Sequence, residues 1–403
     1  MSALDTLFQA SAVISAVGIA KIALDLLCVP KLPGVGALAP DAPRPRISVV
    51  IPVRNEGERI RGTLTRLLEQ QDVELELILV DDRSVDDTGA IARELSARDP
   101  RLRVVRVDQL PAGWLGKVHA CEVGGRAARH EWLLFTDGDI WMEPRLLIRA
   151  IRHLEAERAD HLVIPPAITG QSFAAAAATA AFGSLILHEL ARANRDSPRG
   201  SLGIGAFNLV RRSDWEAIGG HSRLKLAIVD DMLLGLLLRR AGKRTRSAFA
   251  RHSLEADWAR TLSGVPRALE KNFFAQMQYS VPLALFVSCV ILIVWLLPIM
   301  GLFTAVLTGS SAGWLAFGVY ALSLVPASIA ARRFQTTRLA SMLGPLFLVV
   351  VPWAILRSMW TTLRQGGVRW RDTFHPLSEL RAAENELRRS LPRYCSQSRV
   401  SKP

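Results

Sequence analysis

Cysteine is scarce in this 403-residue chain: Cys28, Cys121, Cys289 and Cys395 are the whole supply. They are scattered, two of them within apolar runs, with neither metal-ligand spacing nor the pattern of a disulfide framework. That excludes a disulfide-stapled secreted scaffold and a zinc ribbon, and fits a catalytic domain in a reducing compartment. Internal repeats of 20–50 residues are missing, and low complexity is confined to FAAAAATAAF (173–182). No basic n-region precedes the first apolar run and no small-x-small cleavage site follows it, which disfavours a signal peptide. Gly113-Trp114-Leu115-Gly116-Lys117 lacks the spacing and hydroxyl of a P-loop, so an NTPase reading fails.

Apolar residues are abundant and uneven. Half of the chain is hydrophobic and the mean hydropathy is +0.21. Residues 281–307 carry no charge and are long enough to cross a bilayer. Residues 312–331 and 340–356 are similar, the latter interrupted by Pro345 and Pro352. Residues 7–29 are a weaker span carrying Lys21 and Asp25. Between the first span and the rest lies a water-compatible stretch, 44–265.

The net charge of +13 would suit nucleic acid, but the arginines cluster beside apolar segments: Arg332, Arg333 and Arg338, then Arg364, Arg369 and Arg371. Anionic headgroups and the positive-inside rule produce that pattern, so the expected partner is membrane and not nucleic acid. Lys31, Arg44 and Arg46 follow the first span, and no Lys or Arg stands in the first five residues. The expected orientation is N-terminus outside, 44–265 cytoplasmic, in a cell inner membrane. Three further crossings would leave the basic tail, 364–403, outside, against the same rule. Either one C-terminal segment does not cross, with 340–363 the candidate re-entrant or interfacial element, or the first segment is no span.

Within 44–265, strands and helices alternate. Strands are expected at 47–53, 75–82, 101–107 and 131–137, and helices at 58–70, 84–99 (capped by Ser84 or Asp86) and 117–129. This is α/β, with a parallel sheet covered on both faces. Ligands bind beyond the carboxyl ends of such strands, where Glu56, Asp81, Asp82, Asp137 and Asp139 stand. Asp137-Gly138-Asp139 places two carboxylates at i and i+2, within reach of one hard divalent cation, Mg2+ or Mn2+. A carboxylate such as Asp81 or Asp82 accepts hydrogen bonds from a ribose or an imide. Lys117, near a helix N-terminus, meets a diphosphate. Asp230-Asp231 opens an apolar helix, where acids suit the dipole and one of them has the chemistry of a general base. His188 and His221 have no second ligand at a metal spacing and read as structural.

Six stretches in order, IPVRNE (51–56), VDDRSVDDT (80–88), GWLGK (113–117), TDGD (136–139), GAFNLVRRSDWEAIGG (205–220) and VDDMLLGLLLRRAG (229–242), resemble the inverting family 2 glycosyltransferases, in their membrane-anchored, lipid-modifying branch. The resemblance implies a GT-A fold and transfer of a sugar from a nucleotide-sugar donor, UDP-linked, to a lipid acceptor. It implies that Pro52, Glu56, Asp81 and Asp82 meet the nucleotide, and that Asp137 and Asp139 hold the diphosphate through the metal. Lys117 and Arg211 or Arg212 would offset phosphate charge. Asp231 takes the place of the catalytic base, where Glu-Asp is usual and this chain has Asp230-Asp231. Gln-x-x-Arg-Trp, found after the base in ceramide glucosyltransferases and processive synthases, is absent from 258–272, which argues against processive synthesis; QGGVRW (365–370) has a different spacing and reads as interfacial. The implied organisation is an anchor and linker (1–43), a GT-A domain (44–265), a membrane region of two or three spans (266–363) and a basic cytoplasmic tail (364–403). Two rival readings are a transporter or scaffold with structural acidic loops, disfavoured by the scarcity of polar residues in the C-terminal spans, and a nucleotidyltransferase on the same fold. Residues 171–193 form an apolar helix that is either a plain buried helix or lies near a lipid acceptor.

Overall fold

The computed structural model describes residues 3–36, 39, 41–197, 202–371 and 373–391; Cys395 and the end of the basic tail lie outside them. In chain order the elements are α1 (Ala3–Cys28), β1 (Arg46–Val53), α2 (Gly57–Leu68), β2 (Glu74–Asp82), α3 (Thr88–Arg98), β3 (Leu102–Val107), α4 (Gly116–Ala127) and β4 (Trp132–Phe135). Then come β5 (Ile140–Met142), α5 (Leu146–Ala156), β6 (His161–Val163), β7 (Ala167–Thr169), α6 (Phe173–Asn194), β8 (Asn208–Arg211), α7 (Arg212–Ala217), α8 (Asp230–Arg240), β9 (Thr245–Ser247) and β10 (Leu254–Asp257). The last group is α9 (Gly264–Gln276), α10 (Val281–Thr308), α11 (Ser311–Leu322), α12 (Leu324–Phe334), α13 (Arg338–Phe347), α14 (Val350–Gln365), β11 (Gly367–Trp370), β12 (Thr373–Pro376) and α15 (Leu377–Arg389). They divide into two compact units: 1–28, 168–191 and 258–377 form one, and 29–167, 192–257 and 378–403 the other.

The second unit is built on a seven-stranded sheet in the order β3-β2-β1-β4-β8-β6-β9. β1, β2, β3 and β4 run parallel, while β8 is antiparallel to both β4 and β6. Buried parallel strands read as near-continuous apolar runs, and β1 does: Ile47, Val49, Val50 and Ile51 are fully buried. Ile60, Leu64 and Leu67, spaced along one face of α2, are equally buried. Each such side chain contributes about 1.5–3 kcal/mol by leaving water. α4 lies unusually close to the sheet because Gly124 has no side chain; a Cβ there would come within 2.4 Å of Val50 Cγ1. That close approach sets the start of α4, and with it Lys117, at the carboxyl edge of the strands.

The expected helix over 84–99 begins later, at Thr88. Ser84 and Asp86 do not start it: Ser84 Oγ accepts from the Asn55 backbone N–H (3.0 Å), and Asp86 accepts from the N–H groups of Gly57 and Thr88 (both 3.0 Å). These residues tie the loop after β2 to the loop after β1.

Among the described residues, four helical segments are long and apolar enough to cross a membrane: Ala3–Cys28, Phe173–Asn194, Val281–Thr308 and Ser311–Phe334. The two charges in α1 compensate each other, with Lys21 Nζ 2.8 Å from Asp25 Oδ2, and His188 Nδ1 lies 3.2 Å from the same oxygen. Small residues let α1 pack on α11, where Phe8 and Ala12 meet Ala312 and Ala316. One expected span is kept and one is not. The 312–331 segment lies within Ser311–Phe334, where Ser323, three residues before Pro326, keeps helical φ and ψ of −63° and −21° at the seam between α11 and α12; proline lacks the N–H that would continue the hydrogen bonding there. The 340–356 segment splits into α13 and α14, helices of 10 and 16 residues, both short of the roughly 20 that a bilayer requires. QGGVRW falls mostly in β11, which pairs antiparallel with β12.

Candidate active site

Parallel β1, β2 and β4 end on the same edge of the sheet, so the acids that follow them converge. Asp81 is fully buried and already engaged: its Oδ1 accepts from the Ser84 N–H and its Oδ2 from Arg106, both at 2.9 Å. It braces the loop. Asp82 faces the guanidinium of Arg83 (2.8 and 3.1 Å). Pro52 lies within β1, opposite Val80 of β2. The Glu56 N–H donates to Thr88 Oγ1 (2.8 Å) at the start of α2.

Beyond β4, Asp137 pairs with Lys117 Nζ at 2.5 Å. Asp139 sits 3.6 Å from Arg59 Nη1 and is 29 % exposed. Burial, reinforced by repulsion from Asp137 and Glu56, pushes its carboxyl up to about 6. Desolvation works to lower the Lys117 ammonium, but Asp137, Asp230 and Asp231 outweigh it and hold the group well above the ordinary lysine range.

Asp231 opens α8. Its Oδ2 accepts from the Gly205 N–H and its Oδ1 from the Met232 N–H, each at 2.8 Å. Burial and the neighbouring Asp230 raise it to about 6. Gly205 is the link between the two acidic groups, since its carbonyl also accepts from the Asp137 N–H (3.1 Å). A Cβ on Gly205 would stand 2.6 Å from Asp137 Oδ2 and 3.1 Å from Lys117 Nζ. Sequence reasoning gave Gly205 and Arg59 no role. The sequence signal for Gly205 was its place opening the GAFNLV stretch; nothing comparable marks Arg59.

Arg211 and Arg212 are not brought to this cluster. β8 runs antiparallel to β4, and its register sets Asn208 opposite Phe135 but Arg211 opposite Trp132. The arginines therefore lie at the other end of the strand, about 16 Å from Asp137 at ~3.3 Å per residue. There Arg211 stacks 4.2 Å over the Trp132 ring and pairs with Glu131, while Arg212 pairs with Glu216 at 3.1 Å.

Behind Asp231, Cys121, His221 and Asp230 each offer one ligand-type atom within 4.8 Å of the others, all buried. The Trp215 indole N–H donates to His221 Nδ1 at 3.0 Å. Burial, with Lys117 nearby, drives the ring down to about 3, so it is neutral. A neutral ring accepting at Nδ1 carries its proton on Nε2 and has no lone pair left for a metal. Burial likewise keeps the Cys121 thiol protonated. The group is a packed polar support, in line with the structural reading of His221.

Residues 48–219 match the glycosyl transferase family 2. The chain is 28 % identical over 192 residues to the 4,4'-diaponeurosporenoate glycosyltransferase of Staphylococcus aureus (strain MRSA252), covering 47 % of this chain and 50 % of that protein. The same-named protein of Staphylococcus haemolyticus (strain JCSC1435) is 29 % identical over 206 residues, covering 48 % and 52 %. The chain thus spans about half the length of the curated relatives it matches. A mannosyltransferase from Pyrobaculum calidifontis, solved in complex with GDP-Man and Mn2+, superposes with a TM-score of 0.53 at 18 % identity, covering 89 % of this chain and 99 % of that one. That likeness shows the fold, GT-A. The acid-edged parallel sheet described above lies in the stretch, residues 48–219, that matches the glycosyl transferase family 2.

Proposed function

We propose that the protein transfers a sugar from a nucleoside diphosphate donor, UDP-linked, to a lipid acceptor with inversion at the anomeric carbon. The observation that carries this reading is the single backbone link, Gly205, that joins Asp137 to Asp231. It couples a diphosphate-binding acid to a poised base.

In this reading Asp82 and Glu56 meet the nucleoside, and Lys117 compensates phosphate charge. Asp231 is ionised at neutral pH, since its carboxyl sits near 6, and both its oxygens are fixed by N–H groups yet keep lone pairs for a further donor. It takes the proton of the acceptor oxygen. That oxygen forms the new bond to the anomeric carbon as the bond to the diphosphate oxygen breaks, on the opposite face, so the configuration inverts. The donor set fits a hard divalent cation, Mg2+ or Mn2+: Asp137 and Asp139 offer only oxygens, and the burial and mutual repulsion that together raise Asp139 are what a cation offsets. Such an ion supplies charge neutralisation to the leaving diphosphate.

The membrane reading is also part of the proposal. β6 and β8 pair in one sheet although α6 separates them in sequence, so both ends of α6 belong on one side of a bilayer and α6 does not cross. Arg223 bonds Ser390 Oγ at 2.6 Å within the same unit, which supports an even number of crossings between 257 and 378. α10 and Ser311–Phe334 supply two, with α13 and α14 interfacial, and the basic tail then shares the cytoplasmic side of an inner membrane with the catalytic unit.

The test is to incubate membranes containing the full chain with labelled UDP- and GDP-sugars, extract the lipids and determine the anomeric configuration of the product. An inverted glycolipid made from a UDP-sugar is expected. A retained anomer or no labelled lipid would refute the reading. Labelling of Cys395 from outside intact cells would refute the topology.

A further inference from the structure

The first unit contains a narrow, partly open cavity of about 50 Å3. Its walls come from α1, α6, α10, α12 and α13, and no charged residue lines it. Small residues make the walls flat: Ala180 and Ala181 on α6, Ala327 and Ala330 on α12, and Gly344 on α13. Four hydroxyl residues line the same space, Ser184, Ser323, Thr336 and Ser341, and two of these hydroxyls stand out. Ser323 is 3 % exposed, and neither its Oγ nor Thr336 Oγ1, both buried, has a hydrogen-bond partner among the described residues. A buried hydroxyl without a partner is a cost that folds seldom bear. Flat apolar walls with two donors waiting in them are complementary to a slim hydrocarbon chain that carries an oxygen acceptor. Since α10 and α12 belong to the segments read above as crossing the membrane, such a ligand has a route in from the lipid phase.

We infer that this cavity is a lipid-chain site: it takes a single linear alkyl or polyene chain and hydrogen-bonds an oxygen of that lipid through Ser323 and Thr336. The inference rests on the lipid-acceptor reading and deepens it, because it makes a single-chain lipid the acceptor class.

Photolabelling of the full-length protein in detergent with palmitic acid bearing a mid-chain diazirine tests this. Peptide mass spectrometry is expected to place adducts on cavity-lining residues of α6 and α12. Ala327→Phe, which fills the space, should cut that labelling at least tenfold. Ser323→Ala should cut it severalfold without lowering the thermal unfolding temperature, since it removes a partnerless hydroxyl; a merely structural serine would lower it. Labelling confined to outward helix faces, or unchanged in both variants, overturns the site; if Ala327→Phe does not fold, Ser323→Ala decides. In transfer assays, a raised KM for the lipid with unchanged hydrolysis of the donor assigns the chain to the acceptor. Lost labelling with unchanged KM marks a resident lipid and overturns the acceptor assignment. Wall labelling in a protein that transfers sugar to no lipid would remove the glycosyl-transfer reading alone.

Discussion

Gly205→Ala isolates the connection between the two acidic groups. The added Cβ would stand 2.6 Å from Asp137 Oδ2. Ordinary contact begins near 3.4 Å, so the carboxylate must retreat by about 0.8 Å, and the Lys117 ammonium, 3.1 Å from the same Cβ, must adjust with it. Misplacing a positioning group by about 1 Å costs on the order of 100-fold in rate, or about 2.7 kcal/mol of transition-state stabilisation. The Gly205 backbone is outside the positive-φ region, so alanine is compatible with its conformation and the unfolding temperature should move little. Initial rates of sugar transfer across donor concentrations, with thermal unfolding as control, provide the assay. A kcat/KM within threefold of wild type would refute the role given to this glycine, and so would a rate loss matched by a collapse in stability.

Other expectations follow from the same geometry. With Asp231 near 6, protonation removes the base as pH falls, so kcat should decline below about pH 6; Asp230→Asn, by removing the neighbouring charge, should move that limb to lower pH. His161 is fully buried and held near 4 by burial, below its unfolded value of about 6.5. Its neutral form stabilises the fold fully above pH 6.5, and the contribution is lost as pH falls toward 4, by about 2 kcal/mol at pH 5 at ~1.4 kcal/mol per unit; denaturant midpoints at pH 7 and 5 should therefore differ less in His161→Gln than in wild type. Arg211→Ala should leave kcat/KM within twofold, because Arg211 packs on Trp132 away from the acids; a tenfold rise in donor KM would restore it to the donor site. Lys117→Met should raise donor KM at least tenfold in steady-state assays, since it leaves Asp137, Asp230 and Asp231 uncompensated.

Much of the fold is legible in the sequence because parallel buried strands write themselves as short apolar runs ending in polar residues. β1 and β2 fall within a residue of their expected limits. The acids at the strand ends were legible for the same reason, as the carboxyl edge of a parallel sheet is a fixed place. What could not be read depends on direction and distance. Arg211 and Arg212 follow an apolar run much as Asp137 does, but β8 is antiparallel, which sends its carboxyl end to the opposite edge. Gly205 acts on Asp231 from 26 residues away, a contact that no local pattern encodes. The hydropathy of 340–356 reports composition and is blind to the division between α13 and α14.

The most direct test of the central claim is Asp231→Asn in the purified full-length protein, measuring donor binding and sugar transfer side by side. The account predicts that transfer falls by a factor of about 10³ or more, near the upper range for loss of a general base, while donor affinity stays within about threefold. Transfer at the wild-type rate would contradict it.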